Sequence, residues 1–306
     1  MLKIYVVIFF LIFFKNSISY SQIQIKYKID EEIITNVDIL NEGKYLIFLR
    51  PSLNKLPQEE MIKISTNSLI KEIIKKKELK KIFKDIEKKE YAEIKKNLFN
   101  FKKVKNENEF LNLIKKNNIS YDKILEKIKY EALWNELIFR KFNSLVKIDE
   151  KKLKEKLILK FSNDKKYEYN LSEILFEVEK SETFKNKYKQ IIEYINLNDF
   201  KAAASKFSIS SSSNKGGEIG WIKETLLSDR LVKILKQIKM SEMIKPIKYP
   251  NGYLIIKVND IREIKETLNI DNELRESVNF ERNKQLNQYS LLYYKKLKQN
   301  TTINEY

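Results

Sequence analysis

The sequence predicts an α+β protein: a mostly helical body with one strand-bearing module set into it. Three observations carry this prediction. Helical periodicity dominates residues 36–160 and returns over 268–306. Between these stretches lie two apolar strand-like runs, EYNLSEILFEV and NGYLIIKV. Three of the five glycines, Gly216, Gly217 and Gly220, fall between those runs in one loop, Asn214-Lys215-Gly216-Gly217-Glu218-Ile219-Gly220-Trp221. A backbone that spends its glycines this way needs a positive φ or an approach closer than a Cβ allows.

Composition sets the outer limits. With 306 residues and 42% hydrophobic content the chain builds a core without difficulty, and 33% charged residues exclude an integral membrane protein. At the N-terminus Lys3 precedes an apolar run over 4–14, followed by Lys15 and the small residues Ser17, Ser19 and Ser21. Such a run is too short for the roughly 20-residue span of a bilayer helix and reads as a secretory signal, residues 1–21, cleaved after Ser19 or Ser21. An uncleaved anchor is the alternative. Formal charge is +18, and loss of Lys3 and Lys15 leaves 58 basic against 42 acidic residues. The lysines are scattered over helical faces and do not cluster with aromatic platforms, so they read as solvated faces and not as a nucleic-acid surface.

In chain order, residues 23–34 alternate and turn near Asp30 and Glu31, predicting a hairpin. Thr35, with Asp38 three residues on, is an N-cap for a helix to about residue 49, which Pro51 ends. Pro57 suits a first helical position, and Met61, Ile64, Leu69, Ile70, Ile73 and Ile74 recur near 3.6 residues. Further helices are predicted at 91–101 and 110–116. Ser120 starts the clearest helix of this half, with Ile119 and Ile124 as a hydrophobic staple and Ile128, Leu133, Leu137 and Ile138 as its buried stripe. Asp149 caps a helix to about 159. After the first strand come helices at 182–195 and at 200–207, the second capped by Asp199, and a third at 226–238 follows the glycine loop. Asn251-Gly252 between apolar runs marks a tight hairpin, with Pro246 at the start of its first strand. Beyond Arg262, Leu274, Val278, Leu286, Tyr289, Leu292, Tyr293 and Leu297 describe a last helix, and TTINEY a terminal strand.

KFSISSSSNKGGEIGWI followed by IKPIKYPNGYLIIKVNDIR resembles the parvulin type of peptidyl-prolyl isomerase. The flanking phrases IDEEIITNVDI and ISYDKILEKIKYEALWNELI, together with the closing KVNDIR, resemble the SurA family of periplasmic chaperones, although that family more often carries Asn-Gly or Asp-Gly in the first turn. The resemblance implies a helical SurA-like N-terminal domain over 22–160, one parvulin-like domain over 167–263, and a segment over 268–306 that packs back on the N-terminal domain. It implies unfolded or nascent outer-membrane proteins and peptides as partners, with no cofactor and no nucleic acid. Parvulins tethered as lipoproteins need a Cys at the end of the signal; this chain has none, which implies a protein free in the periplasm.

Prolyl isomerisation breaks no covalent bond, but the imide must pass a barrier of roughly 20 kcal/mol. A protein lowers it by desolvating the amide, gripping the ring and favouring the twisted state. The family's polar site maps residue by residue. Where its first strand reads Ser-His-Ile-Leu, this chain has Ser172-Glu173-Ile174-Leu175, so Glu173 stands for the first histidine. Leu254 replaces the second in Gly252-Tyr253-Leu254-Ile255-Ile256, and Ser210 takes the position of the usual Cys or Asp. The chain contains no histidine anywhere. Ile219, Leu227 and Leu231, with Trp221, match the apolar positions that hold a proline ring, Leu231 standing for a Phe; ordinary core packing explains their spacing equally well. Gly220 is followed by Trp221 and Ile222, not by the Lys and Ser or Thr of a phosphate-binding loop. Metal-ligand spacing is absent, and nothing places Glu173 and Glu218 as a hydrolytic acid pair across one cleft. Three functions are consistent with this reading: a chaperone that holds unfolded proteins, an active isomerase, and a basic scaffold in weak contact with an anionic membrane surface.

Overall fold

The computed structural model describes residues 22–83, 92, 95–96, 98–100, 102–161, 166–178, 182–264 and 269–306. The expected signal at 1–21 and part of the helix expected at 91–101 lie outside the described residues. Strands β1 (Ile25–Ile29) and β2 (Glu32–Thr35) form the predicted hairpin, with Asp30 at φ 49° in its turn. Thr35 then caps α1 (Asn36–Leu49) through a reciprocal box: its Oγ1 accepts from Asp38 N, and Asp38 Oδ2 accepts from Thr35 N at 3.0 Å. Arg50 and a 3-10 turn at Pro51–Lys55 lead to α2 (Gln58–Lys80), for which Pro57 sits one position earlier than expected, as the cap.

Helix α3 (Glu107–Lys116) begins three residues ahead of the expected start because the Asn106 side chain accepts from Glu109 N. Ser120 caps α4 (Tyr121–Phe142), and Ile119 packs in the cluster of Ile124 as the staple requires. Helix α5 (Glu150–Phe161) is capped by Asp149 and leads to the module.

The module is a four-stranded antiparallel sheet built on the buried β3 (Tyr167–Phe176). Its neighbours are β4 (Glu218–Lys223) on one side and β6 (Gly252–Glu263) on the other, with β5 (Ile247–Tyr249) outside β6. The Asn251-Gly252 turn closes β5 on β6 as predicted. One sheet face, with Ile174, Phe176 and Ile255, packs on α6 (Phe184–Leu197) and α7 (Phe200–Phe207) through Ile191, Phe200, Ala203 and Ala204. The opposite face, with Leu171, Leu175, Leu254, Ile256 and Val258, packs on Leu227, Leu235 and Ile244. Each such fully buried side chain contributes about 1.5–3 kcal/mol.

Two expectations need correction here. Residues 218–223 are a strand, not the second half of a loop, because their backbone pairs with β3 from Lys223 to Glu218. The helix expected at 226–238 shortens to α8 (Asp229–Leu235), preceded by a 3-10 turn at Glu224–Leu226, because Ser228 Oγ accepts from Leu231 N and restarts the chain there. Likewise Thr183 caps α6 and fixes its start at Phe184.

Helix α9 (Ile270–Gln299) runs back over the first half. Its Leu286, Tyr293, Tyr294 and Leu297 pack on Leu79, Leu133, Trp134 and Leu137 of α2 and α4. Trp134 Nε1 donates to Ser290 Oγ at 2.9 Å, and the Trp134 and Tyr293 rings stack. The predicted terminal strand is β7 (Ile303–Glu305), which pairs with the free side of β1 in the order β2-β1-β7. Among the described residues no helix is long and apolar enough to cross a membrane.

Candidate functional site

Ladder partners share a sheet face. Glu173 pairs with Ile256 and Leu175 with Leu254, so Glu173 stands on the Leu254 side of the sheet, away from α6 and α7. The run of serines after α7 builds its partner. A 3-10 turn at Ser211–Lys215 presents two hydroxyls to one carboxylate oxygen: Ser210 Oγ donates to Glu173 Oε1 at 2.5 Å and Ser212 Oγ at 2.9 Å. Ser212 is a contact that motif reading missed; the Ser210–Ser213 run was its only signal.

The glycines hold this turn against β3. Gly216, at φ 65°, ends the 3-10 turn in the left-handed conformation. Gly217, at φ 80°, accepts from Glu173 N at 2.8 Å, and a Cβ there would lie 2.3 Å from the Glu173 carbonyl oxygen. Gly220, at φ 90°, meets nothing within 4 Å; it belongs to a bulge in which Gly220 faces Leu171 and Glu218 faces Ser172, leaving Ile219 as the extra residue.

That bulge decides where the expected apolar pocket residues go. Leu227 and Leu254 are buried in one cluster, and Leu231 packs against it. Ile219 stands on the bulge, 39% exposed. Trp221 pairs with Asn170, which puts it on the other face from Leu171 and Leu254, with the Arg262 guanidinium 4.1 Å from its ring centroid. Trp221 therefore does not join the Leu227, Leu231 and Leu254 group. A cavity of about 160 Å³ does adjoin the glycine loop, lined by Leu49, Arg50, Pro51, Ser52, Lys201, Lys215 and Glu218. It is smaller than the ~300 Å³ at which ligand clefts begin and touches none of Glu173, Ser210, Leu227, Leu231 or Leu254.

Chemically, this face offers a carboxylate, two hydroxyls and branched apolar surface. It carries no imidazole, and Leu254, 7% exposed, packs among Leu175, Leu227 and Ile256. No group of His, Cys, Asp or Glu among the described residues is spaced to hold a metal ion. Two further contacts reach the site from outside the module, and no sequence pattern announced either. Lys160 Nζ, at the end of α5, donates to the Leu227 carbonyl at 2.7 Å. Arg50 Nη1 donates to the carbonyl of Ser213.

Residues 147–260 match the family model of the PPIC-type peptidyl-prolyl isomerase domain. This segment is a PPIC-type parvulin domain. Chaperone SurA of Pseudomonas putida is 26% identical to this chain over 162 residues, covering 50% of this chain and 38% of the relative. Chaperone SurA of Buchnera aphidicola is 38% identical over 63 residues, 21% of this chain and 15% of the relative. The chain is thus SurA-like with a parvulin domain, and the match spans less than two fifths of the length of these curated relatives. Among solved structures, a SurA-like chaperone of Campylobacter jejuni aligns over 92% of this chain and 98% of its own at 18% identity and a TM-score of 0.37. PrsA from Bacillus subtilis aligns over 90% and 92% at 19% identity and a TM-score of 0.29. At these scores neither likeness supports a functional assignment. Within the parvulin domain Glu173 and Ser210 bond each other and Leu254 packs away from water.

Proposed function

We propose that this chain is a periplasmic chaperone that holds unfolded outer-membrane proteins on a parvulin scaffold whose isomerase chemistry has lapsed. The observation that carries this reading is the fate of the polar site: Leu254 is part of the apolar packing, and the Glu173 carboxylate is occupied by Ser210 and Ser212. Binding of extended apolar segments survives that exchange, because it needs surface and not proton transfer. Export by a signal at 1–21, a helical domain over 22–160 completed by 268–306, and a parvulin domain over 167–263 belong to the same reading. Purified protein is expected to delay aggregation of a urea-diluted β-barrel protein at near-stoichiometric ratio without ATP. Aggregation at the unassisted rate, with no crosslink to the client, overturns it.

An active isomerase is the second reading, favoured by one observation: Glu173, Ser210 and Ser212 form a polar group at the family's position. A protease-coupled assay on a Xaa-Pro peptide separates the two. Uncatalysed exchange takes tens to hundreds of seconds, and the chaperone reading expects that rate unchanged at micromolar protein.

A further inference from the structure

Lysines lie over aromatic rings at several places in the helical body, and some of them are neutralised by carboxylates. Lys127, over Tyr45, bridges Glu42 and Glu72. Lys76, over Tyr130, pairs with Glu126. Lys71 and Lys75 differ. They are one turn apart on α2 and half-buried where α2 meets α4 and α9: the Lys71 ammonium is 5.9 Å from the Tyr294 ring centroid, and that of Lys75 is 4.6 Å from the Trp134 ring centroid. Neither has a hydrogen-bond acceptor or ion-pair partner among the described residues. The acid whose charge reaches both is the exposed Glu131 of α4. Two ammonium groups are thus held near each other, partly out of water, with six N–H donors and no acceptor among the described residues.

Burial pushes Lys75 down to about 7, with the Lys71 charge as the second cause, and burial also lowers Lys71. Such an arrangement costs the fold stability, and a bound anion offsets that cost by satisfying the donors and separating the like charges. The walls add a second property. Trp134 is 2% exposed, stacked on Tyr293 and covered by Lys75, so its ring belongs to the core, whereas the half-buried Tyr294 beside Leu297 gives the charged spot a flank of ring surface. Cation and ring side by side suit a carboxylate that arrives with apolar neighbours.

We propose that Lys71 and Lys75, with Tyr294, form a subsite for a client carboxylate set in an apolar segment. The subsite rests on the client-holding reading above and is separable from it. Glu131, the competing internal acid, gives the proposal a variant that strengthens binding without touching the core.

The test is calorimetric titration of the full chain with acetyl-Ala-Leu-Glu-Leu-Ala-amide and with the same peptide carrying Gln for Glu. The Glu peptide is expected to bind saturably and about tenfold more tightly than the Gln peptide, the value of one charge-assisted contact. Lys71→Met/Lys75→Met should abolish the difference, and Glu131→Gln should tighten the Glu peptide severalfold, a gain that misfolding cannot imitate. Equal binding of the two peptides, no binding of either, or displacement by inorganic phosphate with no Glu preference overturns the subsite. If client aggregation is still delayed when the peptides bind alike, the subsite fails and the chaperone reading stands. If the Glu preference holds while aggregation is not delayed, the chaperone reading fails and the subsite stands.

Discussion

Arg50 Nη1 donates to the carbonyl of Ser213 at 2.8 Å, and both residues are buried. The bond joins the end of α1 to the 3-10 turn whose next hydroxyl, on Ser212, binds Glu173. Around it Leu53 and Leu56 pack on Ala202 of α7, and Glu60 pairs with Lys206 at 2.7 Å. The helical body thus supports the parvulin site directly.

Arg50→Met should cost about 1.5–3 kcal/mol, because it removes a buried hydrogen bond from a charged donor and with it the joint between body and module, although the Ser213 carbonyl keeps Gly216 N as a donor. Urea denaturation reads the loss. Limited proteolysis should show new cleavage within residues 211–217, and an unchanged digestion pattern there would detach Arg50 from the serine turn.

Gly217→Ala and Gly220→Ala should differ sharply although both replace a positive-φ glycine. At 217 the new Cβ meets the Glu173 carbonyl oxygen at 2.3 Å, so the turn must move away from β3, at about 3 kcal/mol or more. At 220 the space is open and only backbone strain of about 1 kcal/mol remains. Equal losses in the two thermal melts would contradict this geometry.

Lys75 should make stability depend on pH in one direction. Its folded value is about 7 while the unfolded chain keeps the proton to about 10.4. Between these values the unfolded state binds more protons, so the Lys75 contribution makes stability rise with pH, and below 7 the full cost of the charge is present. Lys75→Met should flatten the rise in urea midpoint between pH 6.5 and 9 and stabilise the protein at pH 6.5 by about 1 kcal/mol. This window lies below the range where Lys76, Lys127 and Tyr45, all shifted upward, lose protons. A midpoint that falls across it in the wild type would contradict the assignment.

Glu173→His/Leu254→His puts two imidazoles on one sheet face, and on the proposed mapping it restores the polar pair of an isomerase. Leu254 is buried, so the double variant should lose about 2 kcal/mol of stability. It should gain measurable Xaa-Pro isomerisation over the wild type, since Ser210 and Leu227 already flank the position. No gain in a variant that still melts cooperatively would locate the defect in the apolar surface.

What was legible in the sequence was local. Thr35, Ser120, Asp149 and Asp199 cap helices within three residues of themselves, and Asn251-Gly252 closes its own hairpin. Strand β4 was hidden because Glu218–Lys223 carries a glycine at its centre and becomes a strand only through its ladder with β3. The bulge at Ile219 turned Trp221 to the far face, an outcome set by register and invisible to a list of apolar positions. Arg50 and Lys75 read as two of sixty basic residues; only tertiary packing made one a joint and set the other over the Trp134 ring with no acceptor among the described residues.

Strand β7 has a consequence for the order of assembly. Tyr27 donates its hydroxyl to Glu305 across 278 positions of chain, and Thr302 and Asp30 exchange two further hydrogen bonds, Asp30 N to Thr302 O and Thr302 N to Asp30 Oδ1. Closing so long a loop is entropically unfavourable until α9 has docked and brought the two segments near. The hairpin of β1 and β2 therefore waits with one edge unpaired while the rest of the protein forms. For that interval a protein proposed to shelter unfinished β-sheets presents one of its own.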